Sequence, residues 1–314
     1  MAKSSKTVLC AGVAGAGVFG GYHSRKYAEA DGVSFKGVFD TSLERAAQVA
    51  APFDAQGFGA DDFEAFLDGL DVLTLATPAV THAKLASAAL ARGIAVYSEK
   101  PLATTLEDGR AMVEAARRVG KVLACGHQER GVFAAMGILN APEPLRKLYA
   151  VRNGPFSGRC MDVSVVLDLM VHDLDLVLAL DPGVRQSLAV EAGFTRGDLA
   201  DTVKADLSFA DGLEVQLIAS RDAAARERTM TLTYDSGVVH IDFVARTFEN
   251  STGFALNADF ADTPAGRDPL AFSVGAFLDA VRGDVARPLV TSEEALAALD
   301  LALAIEAETQ TARA

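Results

Sequence analysis

The chain has 314 residues, half of them apolar, with a formal net charge of −13 and three cysteines. Such a length exceeds what one hydrophobic core usually sustains, so two domains are expected, and the acidic balance excludes the basic footprint that nucleic acids and anionic membranes require. Cys10, Cys125 and Cys160 show no Cys-x-x-Cys spacing, which excludes a disulfide framework or zinc knuckle, and no apolar run approaches the ~20 residues of a spanning helix.

The stretch after Met1–Thr7 is glycine-interrupted, unlike a secretory core, so a cytoplasmic location is expected. From Thr7 to Cys125, short β-branched runs at Thr7–Ala14, Val33–Asp40, Val72–Ala76, Ile94–Ser98 and Lys121–Cys125 alternate with Ala-rich helical stretches. That alternation is the mark of βαβ units and a parallel sheet. Thr41 with Glu44 and Thr104 with Glu107 have the capping-box spacing of helix starts. Beyond about Arg130 the pattern changes. A helical run at Met161–Leu180 precedes strand-like segments at Val184–Phe194, Thr202–Phe209, Leu213–Ser220, Thr229–Tyr234 and Val238–Phe243, separated by turn signals such as Asp211-Gly212 and Ser236-Gly237. Strands in succession predict an antiparallel sheet with the helix on one face. Closing helices follow at about Pro269–Arg282 and Thr291–Thr309, the second opened by a Thr291/Glu294 box. The expected fold is therefore α/β: a Rossmann-type doubly wound parallel sheet in residues 1–126, then an α+β domain with a mainly antiparallel open sheet in 127–314, whose C-terminal helix can pack back on the first domain.

The first strand runs into Gly15-Ala16-Gly17-Val18-Phe19-Gly20 and then a helix. In a Gly-x-Gly-x-x-Gly turn the first glycine allows the tight turn, the second lets a phosphate approach the backbone, and the third permits close helix packing, with the helix N-terminus toward a pyrophosphate. Asp40, at the end of the second strand, stands where a carboxylate accepts the adenosine ribose hydroxyls and repels a 2′-phosphate. NAD is thus expected over NADP, with Arg45 as the residue that could still serve a 2′-phosphate; a helix-capping role for Asp40 is the structural alternative.

Further segments carry a resemblance. Tyr97-Ser98-Glu99-Lys100-Pro101, Ala76-Thr77-Pro78 with His82, Gly126-His127-Gln128-Glu129-Arg130, and Asp168-Leu169-Met170-Val171-His172-Asp173 stand in this order. With the Gly-rich turn they make the whole chain resemble the Gfo/Idh/MocA oxidoreductases, and Arg152-Asn153-Gly154-Pro155-Phe156-Ser157-Gly158-Arg159 followed by Asp162-Val163-Ser164-Val165, together with the segment at 126–130, looks most like the members that act on UDP-N-acetylglucosamine-type nucleotide sugars at C3. The resemblance implies an NAD-dependent sugar dehydrogenase and a homo-oligomer, dimer or tetramer, with the open sheet as an interface. It implies catalytic roles for Lys100, Asp168 and His172, and cofactor contacts from Gly15, Gly17, Val18, Phe19, Gly20, Asp40, Thr77, Pro78, His82, Glu99 and Lys100. The relatives' arginine is usually followed by Phe-Asn, whereas Arg130 is followed by Gly131-Val132.

The residue chemistry agrees with those roles. Residues four apart share a helix face, so Asp168 and His172 can converge on one ligand. His172 suits removal of a hydroxyl proton, Lys100 suits a developing alkoxide, and Asp168 would orient the imidazole or bind a substrate hydroxyl. Lys100, Arg159, Asp168 and His172 are the expected substrate contacts, with Arg152 and Arg159 as candidate receivers of a diphosphate. Asp168, Asp173 and Asp175 also permit a metal reading, but Asp-x-Asp on a helix splays its carboxylates and no metal is expected. His23 is expected to pack at the helix start. Free sugars, inositols and other polyols remain alternative substrates, and a hydrolase with hidden redox steps or a cofactor-binding regulator remains an alternative class. The peptide before Pro101 is cis in relatives.

Overall fold

The structure, a computed structural model, describes residues 7–158 and 160–313. The chain forms two compact units, Met1–Gly126 with Leu270–Leu296, and His127–Pro269 with Ala297–Ala314. Among the described residues no helix is long and apolar enough to cross a membrane.

The first unit holds strands β1 Leu9–Ala14, β2 Val33–Phe39, β3 Gln56–Phe58, β4 Val72–Leu75, β5 Ala95–Ser98 and β6 Leu123–Cys125, with helices α1 Val18–Glu29, α2 Leu43–Ala50, α3 Phe63–Leu67, α4 His82–Ala91 and α5 Leu106–Val119. All six strands are parallel in the order β3-β2-β1-β4-β5-β6. This is the doubly wound order, in which ligands bind outside the strand C-termini where the order reverses. Every residue of β4 and β5 is buried, as strands covered on both faces require.

In the second unit, α6 (Glu129–Met136) precedes β7 (Lys147–Asn153), a π turn (Val166–Met170) and α7 (Val171–Ala179). Strands β8 (Arg185–Gly193), β9 (Thr202–Phe209), β10 (Glu214–Ser220), β11 (Glu227–Tyr234), β12 (Gly237–Asp242) and β13 (Thr247–Asn250) follow, then the short α8 (Pro264–Arg267). The seven-stranded sheet has the order β13-β12-β11-β7-β10-β9-β8, antiparallel except for β7 beside β10. Along β9, buried Val203, Ala205, Leu207 and Phe209 alternate with half-buried Thr202, Lys204, Asp206 and Ser208, so one face is packed and the other open.

Helices α9 (Pro269–Arg282) and α10 (Ser292–Arg313) close the chain. Residues 270–296, which the sequence pattern puts with the second domain, belong to the first unit. The reason is apolar: Leu270, Val274, Phe277 and Leu278 of α9 share one core with Leu9, Ala11, Val13, Tyr27 and Tyr97. The Tyr97 hydroxyl also meets Ser273 Oγ at 2.9 Å.

Several local expectations shift. Ser42 and Thr105, not Thr41 and Thr104, cap α2 and α5, accepting from the amides of Arg45 and Asp108; the Thr291/Glu294 box forms as read. Residues 161–164 are not helical, because the Ser164 hydroxyl accepts from the Val166 and Leu167 amides and starts the helix there.

Candidate functional site

The Gly-rich turn leaves the C-terminal end of β1. Gly15 has φ +106°, and a Cβ there would stand 2.3 Å from the Ala76 carbonyl oxygen; at Gly20 it would lie 1.8 Å from that of Gly15. Both glycines are demanded by backbone approach. Gly17 differs: a Cβ there would meet nothing within 4 Å, and as N-cap of α1 it offers no side chain to the first-turn amides. Space and donors therefore coincide at the position where a pyrophosphate would sit, so the turn fits the phosphates of a dinucleotide. Val18 and Phe19 are exposed beside it.

Asp40 follows β2 and reaches this turn. Its Oδ2 accepts from Ala16 N at 2.8 Å, while Oδ1 accepts from Ser42 N at 2.9 Å and Arg45 Nη2 at 2.6 Å. Burial alone would raise this carboxyl, but the Ser42 and Ala16 amides and the Arg45 guanidinium outweigh it and hold Asp40 below its ordinary range. It is thus an anchored anion at the second strand end, and Arg45 lies on it.

The ends of β4 and β5 carry Thr77-Pro78 and Glu99-Lys100-Pro101. Thr77 Oγ1 pairs with Thr81 Oγ1 at 2.7 Å, and Thr81 Oγ1 donates to the Pro78 carbonyl. The buried His82 bridges both ends: Nε2 lies 3.1 Å from the Thr77 carbonyl oxygen and Nδ1 3.0 Å from that of Pro101. Burial pushes its proton affinity down, against the pull of those two carbonyls and of Glu99. The Lys100–Pro101 bond is cis. Glu99 is buried, with Oε1 2.7 Å from His23 Nε2, and Lys100 beside it is half-buried.

In the second unit, Asp168 lies in the π turn and His172 in the first turn of α7. Both are half-buried while Val166, Leu167, Met170, Val171, Asp173 and Leu174 are buried, so the two share the accessible side of this segment. The buried His127 ring stands edge-on to His172, with centroids 6.5 Å apart.

The neighbouring charges are structural. Arg152, 1 % exposed, forks onto Asp173 (2.8 Å to each oxygen) and Glu129 (3.0 and 2.6 Å). Burial opposes its charge, but Asp173 and Glu129 outweigh it and hold the guanidinium above its ordinary value. Arg152 is therefore committed to the core and does not serve as the expected diphosphate receiver. Arg130 holds Asp175 through bonds of 3.1 and 2.5 Å. Asp173 and Asp175 are thus taken by arginines, and among the described residues no cluster of three or more His, Cys, Asp or Glu side chains is arranged to hold a metal ion. Arg159 lies outside the described residues.

The structure thus gathers the predicted Gly15, Gly17, Val18, Phe19, Gly20, Asp40, Thr77, Pro78, His82, Glu99 and Lys100 along one sheet edge of the first unit. It puts Asp168 and His172 together in the second. His23 as a partner of Glu99 escapes the sequence because 76 positions separate them; His127 stood in a recognised motif without a role.

Residues 9–127 match the model of the Gfo/Idh/MocA family, described as an oxidoreductase family with an NAD-binding Rossmann fold. The UDP-N-acetylglucosamine 3-dehydrogenase of Acidithiobacillus ferrooxidans is 33% identical over 94% of this chain and 97% of its own. A solved structure of that enzyme superposes with a TM-score of 0.87, covering 97% of this chain and 98% of that one at 30% identity. The WlbA dehydrogenase of Bordetella pertussis, solved with NADH and UDP-GlcNAcA, shares the fold at a TM-score of 0.86 and 20% identity, covering 98% of this chain and 97% of its own. An inositol 2-dehydrogenase of Rhodococcus erythropolis is 30% identical over 52% of this chain and 50% of its own. With residues 9–127 matched by the family model and one relative aligned along nearly the whole of both sequences, the chain belongs to the Gfo/Idh/MocA oxidoreductases, and its first unit is an NAD-binding Rossmann fold.

Proposed function

We propose that this protein oxidises a secondary alcohol of a UDP-N-acetylglucosamine-type nucleotide sugar to the ketone, with NAD as hydride acceptor. The observation that carries the substrate class is the reach of the likeness. The inositol dehydrogenase relative spans 52% of the chain, whereas the UDP-N-acetylglucosamine 3-dehydrogenase spans 94%, the second unit included.

NAD, when bound, supplies a nicotinamide carbon that accepts the hydride. The Gly15–Gly20 turn and the α1 N-terminus would hold its pyrophosphate and Asp40 its adenosine ribose. As the C–H pair leaves the alcohol carbon, His172 takes the hydroxyl proton, and the C–O bond becomes a carbonyl. Lys100 steadies the oxygen while it carries developing negative charge. Asp168, on the same accessible side as His172, orients the imidazole or binds a neighbouring hydroxyl.

The test is NADH formation with UDP-N-acetylglucosamine, compared with free sugars and inositols. Lys100→Ala and His172→Ala should each lower kcat by ~100-fold or more while NADH affinity changes little. Parental turnover in both variants would remove the mechanism, and turnover of inositols alone would remove the substrate.

A further inference from the structure

We propose that His23 and His82 are positioning residues for Lys100, holding the lysine by its two sequence neighbours from opposite sides. This rests on the reading of Lys100 as the group that steadies the reacting oxygen. Glu99 precedes the lysine and Pro101 follows it, and each is met by an imidazole from a different helix. His23, 0% exposed on α1, reaches the Glu99 carboxylate at 2.7 Å. His82, 1% exposed on α4, lies 3.0 Å from the Pro101 carbonyl oxygen.

Three further observations fit holding rather than filling. The Glu99 carboxylate is backed by Gly126, where a Cβ would lie 2.8 Å from Oε2, so it has little freedom to swing. The His23 ring packs on Tyr97 of β5 with centroids 5.3 Å apart, which fixes the imidazole. His23 Nδ1 is buried with no hydrogen-bond partner among the described residues. A residue serving packing alone would be apolar, since a bare buried nitrogen costs free energy that a carbon does not. What this histidine adds is the bond from Nε2 to Glu99.

The two helices give the arrangement its meaning. α1 begins at the Gly-rich turn after β1 and α4 follows the Thr77-Pro78 turn after β4, so the backbone carrying Lys100 at the end of β5 is tied to helices that start at two other strand ends of the same sheet. Lysine has a long, rotamer-rich stem, and placing its ammonium reproducibly requires the main chain beneath it to be fixed. A displacement of about 1 Å at a reacting group can cost ~100-fold in rate.

The experiment reads Lys100 itself. The intact protein is treated with trace acetic anhydride over a pH series, and acetylation of Lys100 relative to exposed Lys121 is measured by peptide mass spectrometry, alongside NADH binding, thermal unfolding and turnover. His23→Phe, His82→Leu and Gly126→Ala should each change the Lys100/Lys121 ratio by ~5-fold or more and lower kcat by ~10- to 100-fold with less effect on KM. Gly126→Ala perturbs Glu99 from the other side and tests the same link if His23→Phe fails to fold. His23→Gln, which still offers an N–H to Glu99, should stay within ~3-fold of the parent in both readouts. Unchanged Lys100 reactivity in His23→Phe and Gly126→Ala would overturn the proposal. So would a His23→Gln variant as impaired as His23→Phe with a matching loss of thermal stability. Full turnover in Lys100→Ala would instead reject the role of the lysine, leaving its reactivity ratios to report the positioning alone.

Discussion

Single residues divide the Gly-rich turn into two kinds. Gly15 and Gly20 have backbone within 2.3 and 1.8 Å of where a Cβ would be, whereas Gly17 faces open space. Gly17→Ala should therefore leave thermal unfolding nearly unchanged yet weaken NADH binding by ~10-fold or more, read by fluorescence titration, because the methyl enters the space a pyrophosphate needs. Gly20→Ala should lose stability as well. His82 provides a pH effect with a definite sign. Burial lowers its folded-state proton affinity below the ordinary value of about 6.5, so the unfolded chain binds more protons just under that pH. The contribution is fully present above about pH 6.5 and is lost progressively as pH falls from there through the lowered folded-state value. Urea unfolding from about pH 8 to about pH 5 should thus show a shallower loss in His82→Asn than in the parent. At this scale the placement of a residue was readable where a local motif sets it, as with Gly15 after β1, Asp40 after β2 and Lys100 after β5. The site was unreadable where the purpose depends on a distant partner, as with His23 and Arg152.

Elements were legible in proportion to how plainly their burial is periodic. β9 alternates along its length and was found to the residue, and the parallel strands show as short apolar runs. β3 and β13 are short edge strands of three and four residues, and neither shows such a run. The central strand β7 was missed because Arg152 sits in a buried position, disguised as a surface charge until Asp173 and Glu129 are seen around it. That arginine ties β7 to α6 and α7. Arg152→Met should strip the buried Asp173 carboxylate of its fork, leave Glu129 with Arg228 at 3.7 Å among its remaining contacts, and cost ~3–5 kcal/mol of unfolding free energy in urea. Arg152→Lys should recover little of it, since one ammonium cannot fork onto both carboxylates. NADH affinity should be unaffected in either folded variant, because the dinucleotide turn is built in the other unit.

At the scale of the whole molecule, the change of pattern puts residues 127–314 in a second domain and lets the C-terminal helix pack back on the first, whereas in the structure it is residues 270–296, with α9, that group with the first unit. No local signal announces it: α9 has an apolar stripe like any amphipathic helix, and only Leu9, Ala11, Val13 and Tyr97 reveal which surface it covers. A fragment of residues 1–126 should therefore expose that core, bind a hydrophobic dye such as ANS and lack a cooperative thermal transition. Cooperative melting of this fragment would show α9 to be dispensable.

The same return imposes a timetable on biosynthesis. The ribosome delivers the Gly-rich turn early but must add residues 127–269 before α9 can emerge. At ~5–20 residues per second that interval lasts several seconds to half a minute, during which the nascent sheet shows one greasy side. The unit that starts first thus has to wait for material made after most of the second. Chaperone dependence should accordingly fall on the N-terminal half of the nascent chain.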